Sequence, residues 1–89
     1  MRKYSSEEQF KKKMCILFKK DKKRYMILLK KMEEILSCDD VTHYKNLRAP
    51  LRHLKRVHID SHFVLVFRYD ESADSILFYD LDHHDNIYK

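Results

Sequence analysis

Apolar positions in the first forty residues recur with a helical period. Phe10, Met14, Leu17 and Phe18 fall at i, i+4, i+7 and i+8, which puts them on one face of a helix. Tyr25, Leu28, Leu29, Met32, Ile35 and Leu36 then stand at i, i+3, i+4, i+7, i+10 and i+11. Ser5 with Glu8, or Ser6 with Gln9, has the spacing of a capping box that opens the first helix. Asp21 is suited to cap the second, and Ser37-Cys38-Asp39-Asp40 ends it. So short a connection near Lys19–Lys22 predicts an antiparallel helical hairpin with its lysines outward. Met1 to Tyr4 fits a short first strand.

After Val41 the period changes, and Pro50 marks a loop. Leu54–Ile59, His62–Tyr69 and Ser75–Leu81 read as three strands of a meander. The middle run is apolar on both faces, Phe63/Leu65/Phe67 and Val64/Val66, as in a central strand covered on both sides. A helical half followed by a strand half predicts an α+β fold. Its sheet is antiparallel, of three to four strands, with the two-helix hairpin packed on one face.

At 89 residues the chain reads as one domain, residues 1–89. Its 44% hydrophobic and 12% aromatic content is too apolar for disorder despite 37% charge. With no glycine, the phosphate-cradling loops of P-loop and Rossmann proteins cannot be built. No apolar run approaches the ~20 residues of a membrane span, and the charged N-terminus lacks a signal peptide's apolar stretch. Cys15 and Cys38, without CxxC spacing, read as reduced thiols; Cys15, at helical spacing among apolar residues, is expected in the core. These features predict a soluble cytoplasmic protein with no membrane role.

The net charge of +5 is unevenly spread. Residues 1–36 carry 12 Lys/Arg against 5 Asp/Glu, residues 37–68 carry 6 against 3, and residues 69–89 carry 1 against 6. A basic first half suits a polyanion such as RNA, with Lys11, Lys12, Lys19 and Lys20 as candidate contacts; a solvated lysine surface accounts for the same charge.

All six histidines, His43, His53, His58, His62, His83 and His84, lie in the second half among Arg48, Arg52, Lys55, Arg56 and Arg68. Imidazoles that exchange protons near neutral pH, beside guanidinium groups that grip phosphate, are what metal-free RNA cleavage requires. Scattered surface histidines are the plain alternative. Asp80, Asp82, His83 and His84 raise a metal site, but on a strand the adjacent histidines point apart, so no metal and no cofactor is expected. Phe63, Tyr79 and Tyr88 are candidates for stacking on bases.

Taken in order, these features resemble the RelE/ParE toxin superfamily of toxin–antitoxin systems. His43 precedes Leu47; Lys55-Arg56-Val57-His58 follows; then come the apolar strand Phe63 to Phe67 and the terminal pair His84 and Tyr88. The pattern is similar to the RelE-type mRNA interferases, especially the histidine-rich YafQ-like branch. The resemblance implies metal-free, ribosome-dependent cleavage of mRNA, with a small acidic RelB-like antitoxin as partner. It implies His58 and His84 as the acid/base pair, His43 assisting, Tyr88 on the scissile nucleotide, and Lys55 or Arg56 gripping phosphate. Arg68 and His62 join the candidate substrate contacts. The chain departs from the family pattern at Asp80, where arginine is frequent, and at His62 and Phe63, where an acidic residue and a tryptophan are. A non-catalytic ParE-like binding module of the same fold is the alternative, and it has no need of the histidine set.

Overall fold

The structure, a computed structural model, describes residues 1–87. Strand β1 (Lys3–Ser6) leads into helix α1 (Glu8–Lys20), and Asp21 alone separates it from helix α2 (Lys22–Ser37). A short 3-10 turn (Val41–His43) and a loop precede strands β2 (Lys55–His58), β3 (Phe63–Asp70) and β4 (Ser75–His83). One helical turn, α3 (His84–Ile87), ends the described chain.

The sheet order is β1-β4-β3-β2. The meander β2-β3-β4 is antiparallel as the alternation predicts, whereas β1 joins β4 in parallel, with Lys3 opposite Ser75 and Ser6 opposite Phe78. That pairing displaces the expected capping box. Ser5 and Ser6 are drawn into the strand, Glu7 donates its N–H to the Phe78 carbonyl at 3.0 Å, and α1 begins after Glu7 with no side-chain cap. Asp21 does cap α2, its Oδ1 accepting the Arg24 N–H at 3.0 Å.

Alternation along β3 builds two cores. Leu65 and Phe67 meet Phe10, Leu17, Leu28, Met32 and Ile35 of the helices, with Phe10 stacked on Phe78 at 5.7 Å. Val64 and Val66 face the other way and pack on Leu47 and Leu54, with Tyr79 and Ile87 alongside. Cys15 is exposed rather than in the core, because Phe10 and Leu17 take the inner face of α1. Among the described residues, no helix is long and apolar enough to cross a membrane.

Neither edge of the sheet is left bare. Beyond β2, the segment around Asn46 runs antiparallel to it: Leu47 donates to the Leu54 carbonyl at 2.8 Å and Arg56 to the Lys45 carbonyl at 2.9 Å. On the other side, β1 pairs β4 only as far as Phe78. The stretch past it is guarded by Lys13 of α1, whose Nζ reaches Asp80 at 2.8 Å and Asp82 at 3.0 Å. A bulge between Val66 and Phe67 leaves Tyr79 without a register partner and lets both carboxylates reach that edge.

Candidate active site

Four of the six histidines gather at one end of the sheet. His58 is the last residue of β2, His62 immediately precedes β3, and His83 and His84 close β4 and open α3. His58 stands opposite Val64 in the ladder, and Val64 in turn opposite Asp82. At ~4.8 Å per strand, the backbones of His58 and Asp82 lie roughly 10 Å apart, with the apolar side chain of Val64 between. His58 therefore pairs with neither His62 nor Phe63 across its turn.

The turn before β3 is held by one carboxylate. Asp60 Oδ1 accepts the N–H groups of His62 at 2.8 Å and Phe63 at 2.9 Å, while Oδ2 accepts Arg24 Nε at 2.6 Å. Burial works against the Asp60 charge, but Arg24 and the two amides outweigh it and hold the carboxyl down at about 2. His84 then donates its N–H to the His62 carbonyl at 2.7 Å, tying α3 to the same corner.

His83 and His84 do not point apart as a strand would dictate. The strand ends at His83 and helix begins at His84, so the alternation stops between them, and their rings lie 4.8 Å apart at 25°. His62 stacks on His83 from the other side at 5.8 Å and 9°. Asp85 lies beside both, 3.5 Å from His83 Nδ1 and 3.2 Å from His84 Nδ1. The spacing argument against His83 and His84 acting together holds only within a strand, and β4 ends between them.

Beside this corner opens a cleft of about 640 Å³, lined by Asn46, Leu47, Arg48, Ala49, Pro50, Leu51, Arg56 and Ile87. Its volume suits one or two nucleotides. Arg56 lies on the sheet face that bears His58, two residues away, and Ile87 lies three residues past His84. Arg48 is a further cation of this cleft that the sequence reading passed over as a site residue; its place beside Pro50, in the loop covering β2, is the available signal.

Other candidates fall elsewhere. Lys55 Nζ donates to the Tyr44 carbonyl at 3.1 Å and to Asn46 Oδ1 at 2.8 Å, and so holds the cleft's outer wall. His43 donates from Nδ1 to the Asp40 carbonyl. The His43 ring lies 4.1 Å from the Tyr44 ring, which meets Phe67 opposite Lys55, at the end of β2 away from His58. Arg68 is exposed at the opposite end of the sheet, across from Leu77. Lys11, Lys12, Lys19 and Lys20 are exposed on α1, over the helix-covered face, and the structure does not bring them to the cleft. Phe63 is half-buried on that face beneath Arg24, 4.2 Å from the ring centre. Tyr88 lies outside the described residues.

The departure at Asp80 has a structural account: its carboxylate pairs with Lys13. Burial disfavours the neighbouring Asp82 charge, but the Asn86 amide and Lys13 hold its carboxyl below the ordinary aspartate value.

Scanned against models of known families, the sequence matches none. A curated relative from Methanocaldococcus jannaschii, named "Putative toxin RelE4", is 59% identical over 73 residues, spanning 82% of this chain and 76% of the relative. The chain belongs to the RelE/ParE toxin superfamily. Solved structures of this toxin fold agree. The metal-bound toxin from Helicobacter pylori superposes with a TM-score of 0.79 at 19% identity, over 98% of this chain and 99% of that one. The E. coli DinJ–YafQ complex matches with a TM-score of 0.68 at 16% identity, over the whole of both chains.

Proposed function

We propose that this RelE-family toxin is an endoribonuclease that cleaves mRNA on the ribosome by metal-free acid–base transfer. The observation that supports the reading is that His58 and His84 stand at the same end of the sheet, while Arg56, two residues before His58, and Ile87, three after His84, line a cleft together with Arg48. A base takes the proton from a ribose 2′-hydroxyl, and the oxygen attacks the adjacent phosphorus. The phosphorus–5′-oxygen bond then breaks as an acid protonates the leaving oxygen, yielding a 2′,3′-cyclic phosphate and a 5′-hydroxyl. His58 and His84 serve as this pair, and His43 assists. Arg56 and Arg48 meet the charge that builds on the phosphorane. Tyr88 orients the nucleotide, and His62 and Lys55 contribute to its surroundings, whereas Arg68, at the opposite end of the sheet, has no part in it.

The lysines of α1 belong to a second surface in this reading, one that meets ribosomal RNA or an acidic antitoxin. The DinJ–YafQ relative is itself a complex of two proteins, and a basic helix remote from the cleft suits an acidic partner.

The test is single-turnover cleavage of labelled mRNA on programmed ribosomes, with the 3′ end of the upstream fragment examined for a cyclic phosphate. Cleavage that ends in a cyclic phosphate is expected. Growth arrest by the expressed chain without any mRNA cleavage would move the assignment to the non-catalytic binding module.

A further inference from the structure

We propose that His62, His83 and His84 form a site for a divalent transition-metal ion of the zinc, copper or nickel class, and that its occupancy switches cleavage off. One ring nitrogen from each of the three histidines lies within 4.8 Å of the others. A tetrahedral ion with ~2.0–2.1 Å bonds to imidazole needs nitrogens about 3.4 Å apart. Closing the difference takes roughly an ångström of movement per ring. Ring rotation provides that, since His62 is exposed and the other two are half-buried.

The backbone is already arranged for convergence. The bond from the His84 N–H to the His62 carbonyl fixes two of the three residues at 2.7 Å, and His83 is joined to His84 directly. Asp60 holds the His62 end. Asp85 sets a carboxylate 3.2 Å from His84 Nδ1, the outer partner that histidine ligands commonly have, while its backbone N–H donates to His83 Nδ1 at 3.2 Å. Three neutral nitrogens with no protein oxygen among them select borderline ions such as Zn²⁺, Cu²⁺ and Ni²⁺ over Mg²⁺ or Ca²⁺. With only three protein ligands, the fourth position stays open to water or phosphate.

The consequence rests on the proposed acid–base reading. His84 exchanges a proton through the same lone pairs that bind metal, so an ion held there removes His84 from catalysis. The site then reads intracellular metal against toxin activity, in the opposite sense to a metal cofactor.

Calorimetry of the purified chain with ZnCl₂ tests the site without any cleavage assay. One ion per chain is expected in the wild type. His83→Gln should weaken binding by at least tenfold, Asp85→Asn by roughly 10–100-fold, and His53→Gln not at all. His62→Gln serves as the second ligand variant, and each variant's melting temperature checks its folding. Binding that survives both ligand variants, or no binding in the wild type, overturns the site. On programmed ribosomes, Zn²⁺ should suppress wild-type cleavage and spare that of His83→Gln, each measured against its own metal-free rate. Equal suppression of both overturns the switch. If the chain binds zinc through these histidines but never cleaves mRNA, the function falls while the site stands.

Discussion

Arg24 of α2 and Asp60 of the turn before β3 are joined by a 2.6 Å bond across 36 residues of sequence. Through the same carboxylate, α2 sets the position of His62 and, through the His62 carbonyl, of His84. The helical layer thus fixes the histidine corner through the Arg24 side chain.

Removing this link should cost stability and show a defined pH dependence. The Asp60 carboxyl titrates at about 2, below its ordinary 3.8. A depressed acid adds stability that is complete above its unfolded value and lost as pH falls through its folded one. The stabilisation should therefore fade between about pH 4 and 2. The shift corresponds to about 2 kcal/mol at most, and partial exposure reduces that to roughly 1–2 kcal/mol. Urea unfolding of Asp60→Asn should show that loss at pH 7, with a shallower acid limb than wild type. Equal midpoints at pH 7 would show that the pair contributes nothing.

His58→Ala and His84→Ala should each lower cleavage by ~10²–10⁴-fold. Both side chains are at least partly solvent-accessible, so melting temperatures should stay close to wild type. Tyr88→Ala should lose a smaller factor, from stacking worth ~1–3 kcal/mol. Rates on programmed ribosomes, measured beside thermal melts, separate chemistry from folding. Unchanged cleavage in a folded His84→Ala protein ends the case for this site.

Arg48→Gln and Arg56→Gln should each flatten the salt dependence of RNA binding, by about 0.7–0.9 in the log–log slope per lost phosphate contact. Replacing Lys11, Lys12, Lys19 and Lys20 together with Gln should weaken ribosome binding but leave the rate at saturation intact. Fluorescence titrations from low to moderate salt report both effects. A slope that ignores the arginines would remove the cleft from the RNA path.

Cleavage should survive a transition-metal chelator when magnesium is kept in excess for the ribosome. Chelation should, if anything, raise the rate by clearing the three-histidine site. Activity lost on chelation and restored by zinc would reverse the role given to that site.

Much of this arrangement was legible from periodicity. The stripes through Phe10 and Leu28 gave the helices, and the two-faced run Phe63 to Phe67 gave a central strand with a core on each side. What escaped depends on contacts distant in sequence. Ser5 and Ser6 have the spacing of a cap, yet they pair with Leu77 and Phe78, which no local pattern announces. His58 and His84 were legible as residue types beside cations. The closeness of His62, His83 and His84 was not, because it follows from where β4 stops. Arg48 was legible as a cation among the histidines but not as part of the cleft, since it enters there through the fold of a loop rather than through any repeat.

The partnership of β1 with β4 has a consequence for the birth of the molecule. Residue 3 meets residue 75, so the sheet cannot close until nearly the whole chain has left the machine that makes it. Such a distant pairing also forms late in folding. A nascent chain therefore carries helices and an unfinished sheet, and its histidine corner assembles only after β4 has been made. The toxin is thereby kept from completing its fold until β4 has been made.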